Sequence, residues 1–333
     1  MSRIAILGGG SWGTALAIVL SRARRKHEIS LWVHDPALAD SIARDRENRT
    51  YLPGNRLVRE VQVTSHIGNA ISDAQILVGA VPTAHARIVY SAAAHVSRSA
   101  VFVSASKGLE PDTHKRMSEL IREVLAPKFA PRVAVLSGPS FAAEAARGEP
   151  TAVVLASGDA ALASDLQQEF AAPNFRVYSN DDVLGVELAG AMKNVIAIAA
   201  GVCQGLGLGS NPLAALITRG LAEMSRLAAA LGAQPETLTG LAGLGDLVLT
   251  CTGALSRNRQ VGIELGKGRA LGEILAGMRM VAEGVGTTAA LLALASEARV
   301  EMPITEQVAD ILHQGKPPRE AIRDIMERPQ KRE

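Results

Sequence analysis

The first half of the chain alternates short apolar runs with amphipathic stretches. Runs at 3–7, 29–33, 61–64, 76–80, 101–105, 133–136 and 152–156 read as strands, and 175–178 closes the series. Between them, apolar residues recur at helical spacing over 14–25, 36–46, 84–94 and 114–125. Strands alternating with helices predict βαβ units and a mainly parallel, doubly wound sheet. From about Asp182 the pattern changes: helical periodicity fills 183–204, 212–231, 257–266, 271–276, 287–298, 305–314 and 318–327, with almost no strand-like run. The expectation is an α/β domain over residues 1–182 followed by an all-α domain over 183–333.

Composition narrows the classes of function. At 333 residues, with 47% apolar and 20% charged, the chain has enough apolar matter for two cores and is not disordered. Thirty-five Lys and Arg against 33 Asp and Glu leave a net charge of +2. That balance argues against a nucleic-acid binder, which concentrates a basic excess. Aromatics at 3% argue against stacking platforms. Cys203 and Cys251 form no CxxC pair, and the histidines show no metal spacing, so a reducing cytoplasm and no metal are expected. Residues 194–218 carry no charge and have the length of a membrane span. Gly201, Gln204, Gly205, Gly207, Gly209, Asn211 and Pro212 interrupt that stretch, so it reads as two buried helices joined by a glycine-rich turn in a soluble chain.

Candidate chemistry gathers in a few strings. Gly8-Gly9-Gly10-Ser11-Trp12-Gly13 follows the first strand and opens a helix, as a GxGxxG dinucleotide loop would. Gly8 would allow the tight turn, Gly10 the approach of a pyrophosphate, and Gly13 close helix–strand packing; an ordinary strand–helix turn is the plainer alternative. At the end of the second strand, Asp35 could hold a ribose hydroxyl and His34 a 2′-phosphate, or Asp35-Pro36 could simply start a helix. Lys107, in Ser106-Lys107-Gly108, and Ser137-Gly138-Pro139-Ser140 lie at strand ends where open α/β sheets bind ligands.

In the second half, Lys193 of Glu187-Leu188-Ala189-Gly190-Ala191-Met192-Lys193-Asn194 interrupts an otherwise small and apolar helix. A desolvated lysine suits acid–base work, although a lysine at a helix edge can also snorkel. Gly240-Leu241-Ala242-Gly243-Leu244-Gly245-Asp246 reads as a glycine-rich turn whose carboxylate could orient Lys193 or cap the next segment. Ser256-Arg257-Asn258-Arg259 opens a helix with the elements of a phosphate site, or with an ordinary serine cap. Val281-Ala282-Glu283 precedes another helix. Asn48-Arg49-Thr50 matches a glycosylation sequon and has no meaning in a cytoplasmic chain.

Together these strings resemble the bacterial NAD(P)-dependent glycerol-3-phosphate dehydrogenases over essentially the whole chain. The most specific pieces are 136–142, 193–198, 217–224 and 244–252, with Ser256-Arg257-Asn258-Arg259 completing the set. The resemblance implies a Rossmann-type first domain, NAD(H) or NADP(H) as cofactor, and reversible reduction of dihydroxyacetone phosphate to sn-glycerol 3-phosphate for glycerophospholipid synthesis. It implies Lys193 as the acid–base residue. Lys107, Gly138, Ser140, Lys193, Asp246, Ser256, Arg257 and Asn258 match its substrate positions. Gly8, Gly10, Ser11, Trp12, Gly13, His34, Lys107, Ala142, Arg257, Val281 and Glu283 match its cofactor positions. It also implies a small-molecule substrate, a homodimer, and neither nucleic acid nor membrane as partner. A related dehydrogenase of another hydroxy acid and a non-catalytic NAD(H)-sensing regulator are the competing readings, because fold alone does not set function.

Overall fold

The computed structural model describes residues 1–96, 98–278 and 280–330. The chain divides into two units, Met1–Glu110 with Lys115–Glu187, and Pro111–His114 with Leu188–Glu333. The last three residues of the helical region expected to end at 333 lie outside the described residues. The division falls inside a helix at Glu187, five residues beyond the change of pattern at Asp182. The reason is local. Glu187 is buried and accepts from the Ser118 amide (2.8 Å), the Ser118 hydroxyl (2.6 Å) and Arg116 (2.9 Å), all in the first unit.

The first unit is built on eight strands: β1 (Ser2–Leu7), β2 (His27–Trp32), β3 (Gln62–Thr64), β4 (Ile76–Gly79), β5 (Val101–Ser104), β6 (Arg132–Ser137), β7 (Thr151–Ala156) and β8 (Phe175–Asn180). They form one sheet in the order β3-β2-β1-β4-β5-β6-β7-β8. All neighbours are parallel except β6 and β7, which run antiparallel. Successive side chains of a strand point to opposite faces. Ile4 and Ile6 of β1 therefore enter one buried cluster and Ala5 and Leu7 another, so both faces of the sheet are covered. The covering helices are α1 (Ser11–Ser21), α2 (Pro36–Asp45), α3 (Ile67–Ile71), α4 (Thr83–Ala92), α5 (Met117–Leu125), α6 (Ala142–Arg147) and α7 (Ala160–Phe170).

The sequence pattern missed three of these. Helices α3 and α6 have five and six residues, too few to show a period. The eleven residues of α7 carry a readable start, since the Asp159 side chain accepts from the Leu162 amide at 3.1 Å. Helix α5 begins at Met117 rather than 114, because Arg116 and Glu119 form a capping box there.

The second unit holds α8 (Val183–Gly205, whose first turn belongs to the first unit), α9 (Ser210–Ala230), α10 (Pro235–Thr239), α11 (Asp246–Thr252), α12 (Arg257–Gly266), α13 (Leu271–Ala276), α14 (Glu283–Ala298), α15 (Pro303–His313) and α16 (Pro318–Met326). Three expectations need correction. Gly201 and Gly205 do not break the helix; they lie within α8 and face α12. A Cβ at Gly201 would stand 2.0 Å from the Arg259 carbonyl oxygen, and one at Gly205 would stand 2.2 Å from that of Ile263. In return, Gly262 and Gly266 of α12 leave room for the Ile198 and Val202 carbonyls of α8 (2.0 and 2.6 Å). Two glycine pairs four residues apart let the two backbones meet, which outweighs the low helix propensity of glycine.

The second correction concerns 194–218. Helix α8 is long and apolar enough to cross a membrane, with mean hydropathy 1.6, but 89% of that stretch is buried inside the protein. The first half of α9, however, is not buried as expected: Ser210–Arg219 stay exposed or half-exposed, and burial begins at Gly220. The third concerns the supposed turn at 240–246. Leu241–Gly245 is a π-helical turn running straight into α11.

Candidate active site

In the first unit the parallel strands β1, β2, β5 and β6 all end on one edge of the sheet, and four candidate strings follow those ends. At β1, Gly8 has φ +126°, and a Cβ there would lie 2.5 Å from the Ala80 carbonyl oxygen. Only glycine fits that turn. A Cβ on Gly13 would lie 1.9 Å from the Gly8 carbonyl oxygen, so this glycine lets α1 sit on the turn. Gly10 differs from both. A Cβ there would meet nothing within 4 Å, and its φ of −74° suits any residue. Nothing in the protein demands a glycine at 10.

Helix α1 starts at Ser11 with no side-chain cap and no acidic residue in its first turn. Its first amides are thus presented to an anion from outside the chain. The Trp12 indole N–H is buried and has no hydrogen-bond partner. The open space at Gly10, the uncapped helix start and this orphan donor fit a dinucleotide phosphate. His34, at the end of β2, is exposed and meets Trp32 edge-on, with ring centroids 5.8 Å apart. Asp35 serves as the cap of α2, accepting from the Ala37 amide (2.8 Å) and the Leu38 amide (3.2 Å). The helix-start alternative is therefore the one its geometry realises.

At the ends of β5 and β6 three candidates come together. Lys107 Nζ donates to the Gly138 carbonyl (2.7 Å) and lies 3.4 Å from Ser140 Oγ, which itself donates to Gly138 (2.9 Å). Gly138 adopts φ +117°, and a Cβ there would press on Val153 Cα at 3.1 Å. Ala142 opens α6, another helix start without a side-chain cap.

In the second unit Lys193 does not snorkel. It is 6% exposed, and its Nζ donates to Asp246 Oδ1 (2.6 Å) and Thr250 Oγ1 (3.0 Å). The Thr250 hydroxyl donates onward to the Asp246 carbonyl at 2.6 Å. Asp246 is thus a partner of the lysine, not the side-chain cap of the segment after it. Residues 246 and 250 share a face of α11 because they are four apart on a helix. Reading 240–246 as a turn hid Thr250, whose spacing from Asp246 was the available signal. The neighbouring Cys251 thiol is pushed up to about 12 by burial, so it remains protonated.

A second group is tied to the first through the residue after Lys193. Asn258 Nδ2 donates to Asn194 Oδ1 (2.9 Å), and Asn258 Oδ1 accepts from the Gly284 amide (2.9 Å). The Asn258 side chain is thereby engaged within the protein, and its backbone amide at the start of α12 is the part suited to a ligand. Ser256 Oγ caps α12 by accepting from the Arg259 amide at 3.2 Å. Arg257 donates to the Val281 carbonyl at 2.9 Å. Burial pushes its guanidinium pKa down, and the Glu283 charge raises it. Arg257, Val281 and Glu283 thus form one cluster at the starts of α12 and α14.

Comparison with known proteins identifies this arrangement. A family model described as the N-terminus of NAD-dependent glycerol-3-phosphate dehydrogenase matches residues 3–163, and its C-terminal counterpart matches 182–323. A glycerol-3-phosphate dehydrogenase (NAD(P)+) of Koribacter versatilis is 56% identical over 331 residues, covering 99% of this chain and 98% of the relative. The chain belongs to the NAD-dependent glycerol-3-phosphate dehydrogenase family. Another relative of that name, from a Geobacter species, is 52% identical, covering 98% of this chain and 97% of its own. The crystal structure of the glycerol-3-phosphate dehydrogenase of Coxiella burnetii superposes with a TM-score of 0.92 at 40% identity, covering 98% and 99% of the two chains. Membership makes the enzyme an NAD(P)-dependent oxidoreductase and explains why the sheet of the first unit carries a GxGxxG turn on β1.

Proposed function

We propose that this enzyme reduces dihydroxyacetone phosphate to sn-glycerol 3-phosphate reversibly, and so supplies the backbone of glycerophospholipids. The observation that carries the reading is the buried Lys193 ammonium held 2.6 Å from Asp246 and 3.0 Å from Thr250. A lysine taken from water in this way has a fixed Nζ and a proton to exchange. In our reading, the segment 1–182 binds NAD(H) or NADP(H), and 183–333 binds the three-carbon substrate.

When bound, the cofactor supplies or accepts the hydride at the substrate's central carbon. The chain's own residues do the rest. Amides of residues 10–13 at the start of α1 would hold the pyrophosphate, with Gly8 and Gly13 shaping the turn, and Ser11, Trp12, His34, Lys107 and Ala142 of the first unit would supply further cofactor contacts. Arg257, Ser256 and the Asn258 amide at the start of α12 would fix the substrate phosphate. Lys193 donates its proton to the developing alkoxide during reduction, and the neutral amine takes it back during oxidation. Asp246 and Thr250 hold Nζ in place, and Asp246 offsets the charge of the ammonium. Interactions with the remote phosphate position the carbonyl for reaction.

The test follows NADH and NADPH oxidation with dihydroxyacetone phosphate, with hydroxypyruvate, and with no second substrate. Turnover with dihydroxyacetone phosphate is expected, and preference for hydroxypyruvate would overturn the assignment. Lys193→Ala is expected to lower kcat about 10²- to 10⁴-fold, the usual worth of a positioned general acid, with NADH affinity little changed. Near-normal turnover would remove Lys193 from the chemistry. The two buried cysteines suit a cytoplasmic location, and we place the enzyme there as a homodimer. Light scattering of the purified chain at twice the 34.8 kDa mass would support the dimer, and a single-chain mass would reject it.

A further inference from the structure

Residues 46–61 form neither helix nor extended strand, yet they are firmly anchored in the first unit. Leu52, Leu57 and Val61 enter the core that contains Leu16 and Ile18 of α1, and Glu47 pairs with Arg56 in an antiparallel bridge. Loops of this length without regular structure are commonly functional. The residue at its centre of interest is Asn48, set aside as a meaningless sequon in the sequence but fully buried in the fold.

The Asn48 amide group donates to the Gly9 carbonyl (2.8 Å) and to Thr14 Oγ1 (2.8 Å). Its Oδ1 accepts from the Tyr51 amide (3.1 Å), and its own carbonyl accepts from Leu52 (2.8 Å). The side chain therefore joins its loop to both ends of the phosphate-binding turn. Gly9 lies between two glycines, where the backbone is least restricted. Its other flank is closed by Val33, whose Cγ2 a Cβ at Gly9 would approach to 2.6 Å. In a planar trans peptide the carbonyl oxygen and the following N–H point in opposite directions. A Gly9 carbonyl held by Asn48 thus aims the Gly10 amide away from Asn48, and the position of a Gly10 side chain is open.

We propose that Asn48 is a positioning residue for the cofactor: it locks the Gly9–Gly10 peptide so that the Gly10 amide faces the pyrophosphate. It acts through Gly9 and Thr14 and touches no ligand itself. This inference rests on the dinucleotide reading of Gly8–Gly13.

Asn48→Asp removes both donors and sets a carboxylate against the Gly9 carbonyl. Asn48→Ala removes the donors only, and it decides the question where the aspartate variant does not fold. NADH is titrated into the full chain by fluorescence without substrate, and kcat, both KM values and Tm are then measured. The expectation is a roughly tenfold weaker NADH Kd for Asn48→Asp and a smaller loss for Asn48→Ala. The KM for dihydroxyacetone phosphate and kcat at saturating NADH should stay within about twofold. A lower Tm with unchanged NADH Kd would show a merely structural residue and overturn the proposal, as would an equal rise in both KM values. If the wild-type chain itself fails to bind NADH, the dinucleotide reading falls; if it binds and both variants bind as tightly, only the clamp falls.

Discussion

Glycine does opposite work at Gly10 and at the crossing of α8 with α12. At the β1–α1 turn of the first unit, Gly10 keeps a space that no protein atom enters within 4 Å. In the second unit, Gly201, Gly205, Gly262 and Gly266 keep spaces that backbone oxygens already fill, with a Cβ at any of them landing 2.0–2.6 Å away. The fold makes no demand for glycine at position 10, whereas it requires the four at the helix crossing. The presence of glycine alone does not reveal which ones the fold requires; what the missing side chain would have touched does.

Breaking the helix crossing should have the largest effect. In Gly262→Ala the new methyl would be driven to 2.0 Å from the Ile198 carbonyl oxygen. Overpacking of this kind costs about 3 kcal/mol, a fall in Tm of roughly 6–12 °C in calorimetry. An unchanged Tm would mean that α8 and α12 do not meet through their glycines. Gly10→Ala should do the reverse. It should leave Tm within about 1–2 °C, because the backbone angle is ordinary and the space is open, yet raise the KM for NADH about tenfold or more. Equal KM values in mutant and wild type would dissociate Gly10 from the phosphates. The smallest effect is expected beside the same turn, at the capping carboxylate. Asp35→Ala should cost about 1 kcal/mol of stability by chemical denaturation, as lost caps do, with little change in NADH affinity. A large loss of NADH affinity with intact stability would instead return Asp35 to the ribose.

The sheet was the most legible part of the molecule. Its strands are apolar runs bounded by turn residues, and a parallel sheet covered on both faces leaves little else for such runs to be. Helix ends were less legible: α1 begins three residues before the period suggests, because the glycine turn passes directly into it. The site was legible as residue types rather than as relationships. Lys193, Asp246, Arg257 and Lys107 could each be picked out as chemistry in unusual surroundings. Thr250 carried only its spacing from Asp246 as a signal, and Asn194 carried none, because its importance lies in which side chain it faces. The partners of Asn48 were equally illegible, since a buried amide and a solvent-exposed sequon read alike in a string of letters.

By itself the sequence determined the alternation of strands and helices, the change to helices near Asp182, the turn glycines and the family to which the chain belongs. Those features are local: periodicity, backbone permissiveness and short motifs depend on neighbours along the chain. Tertiary structure alone decided that Lys193 reaches Asp246 across 53 residues, that Asn48 reaches Gly9 across 39, and that Gly201 yields to Arg259. Those are contacts between distant segments, set by packing and by the need of each buried polar group for a partner, and no local pattern encodes them.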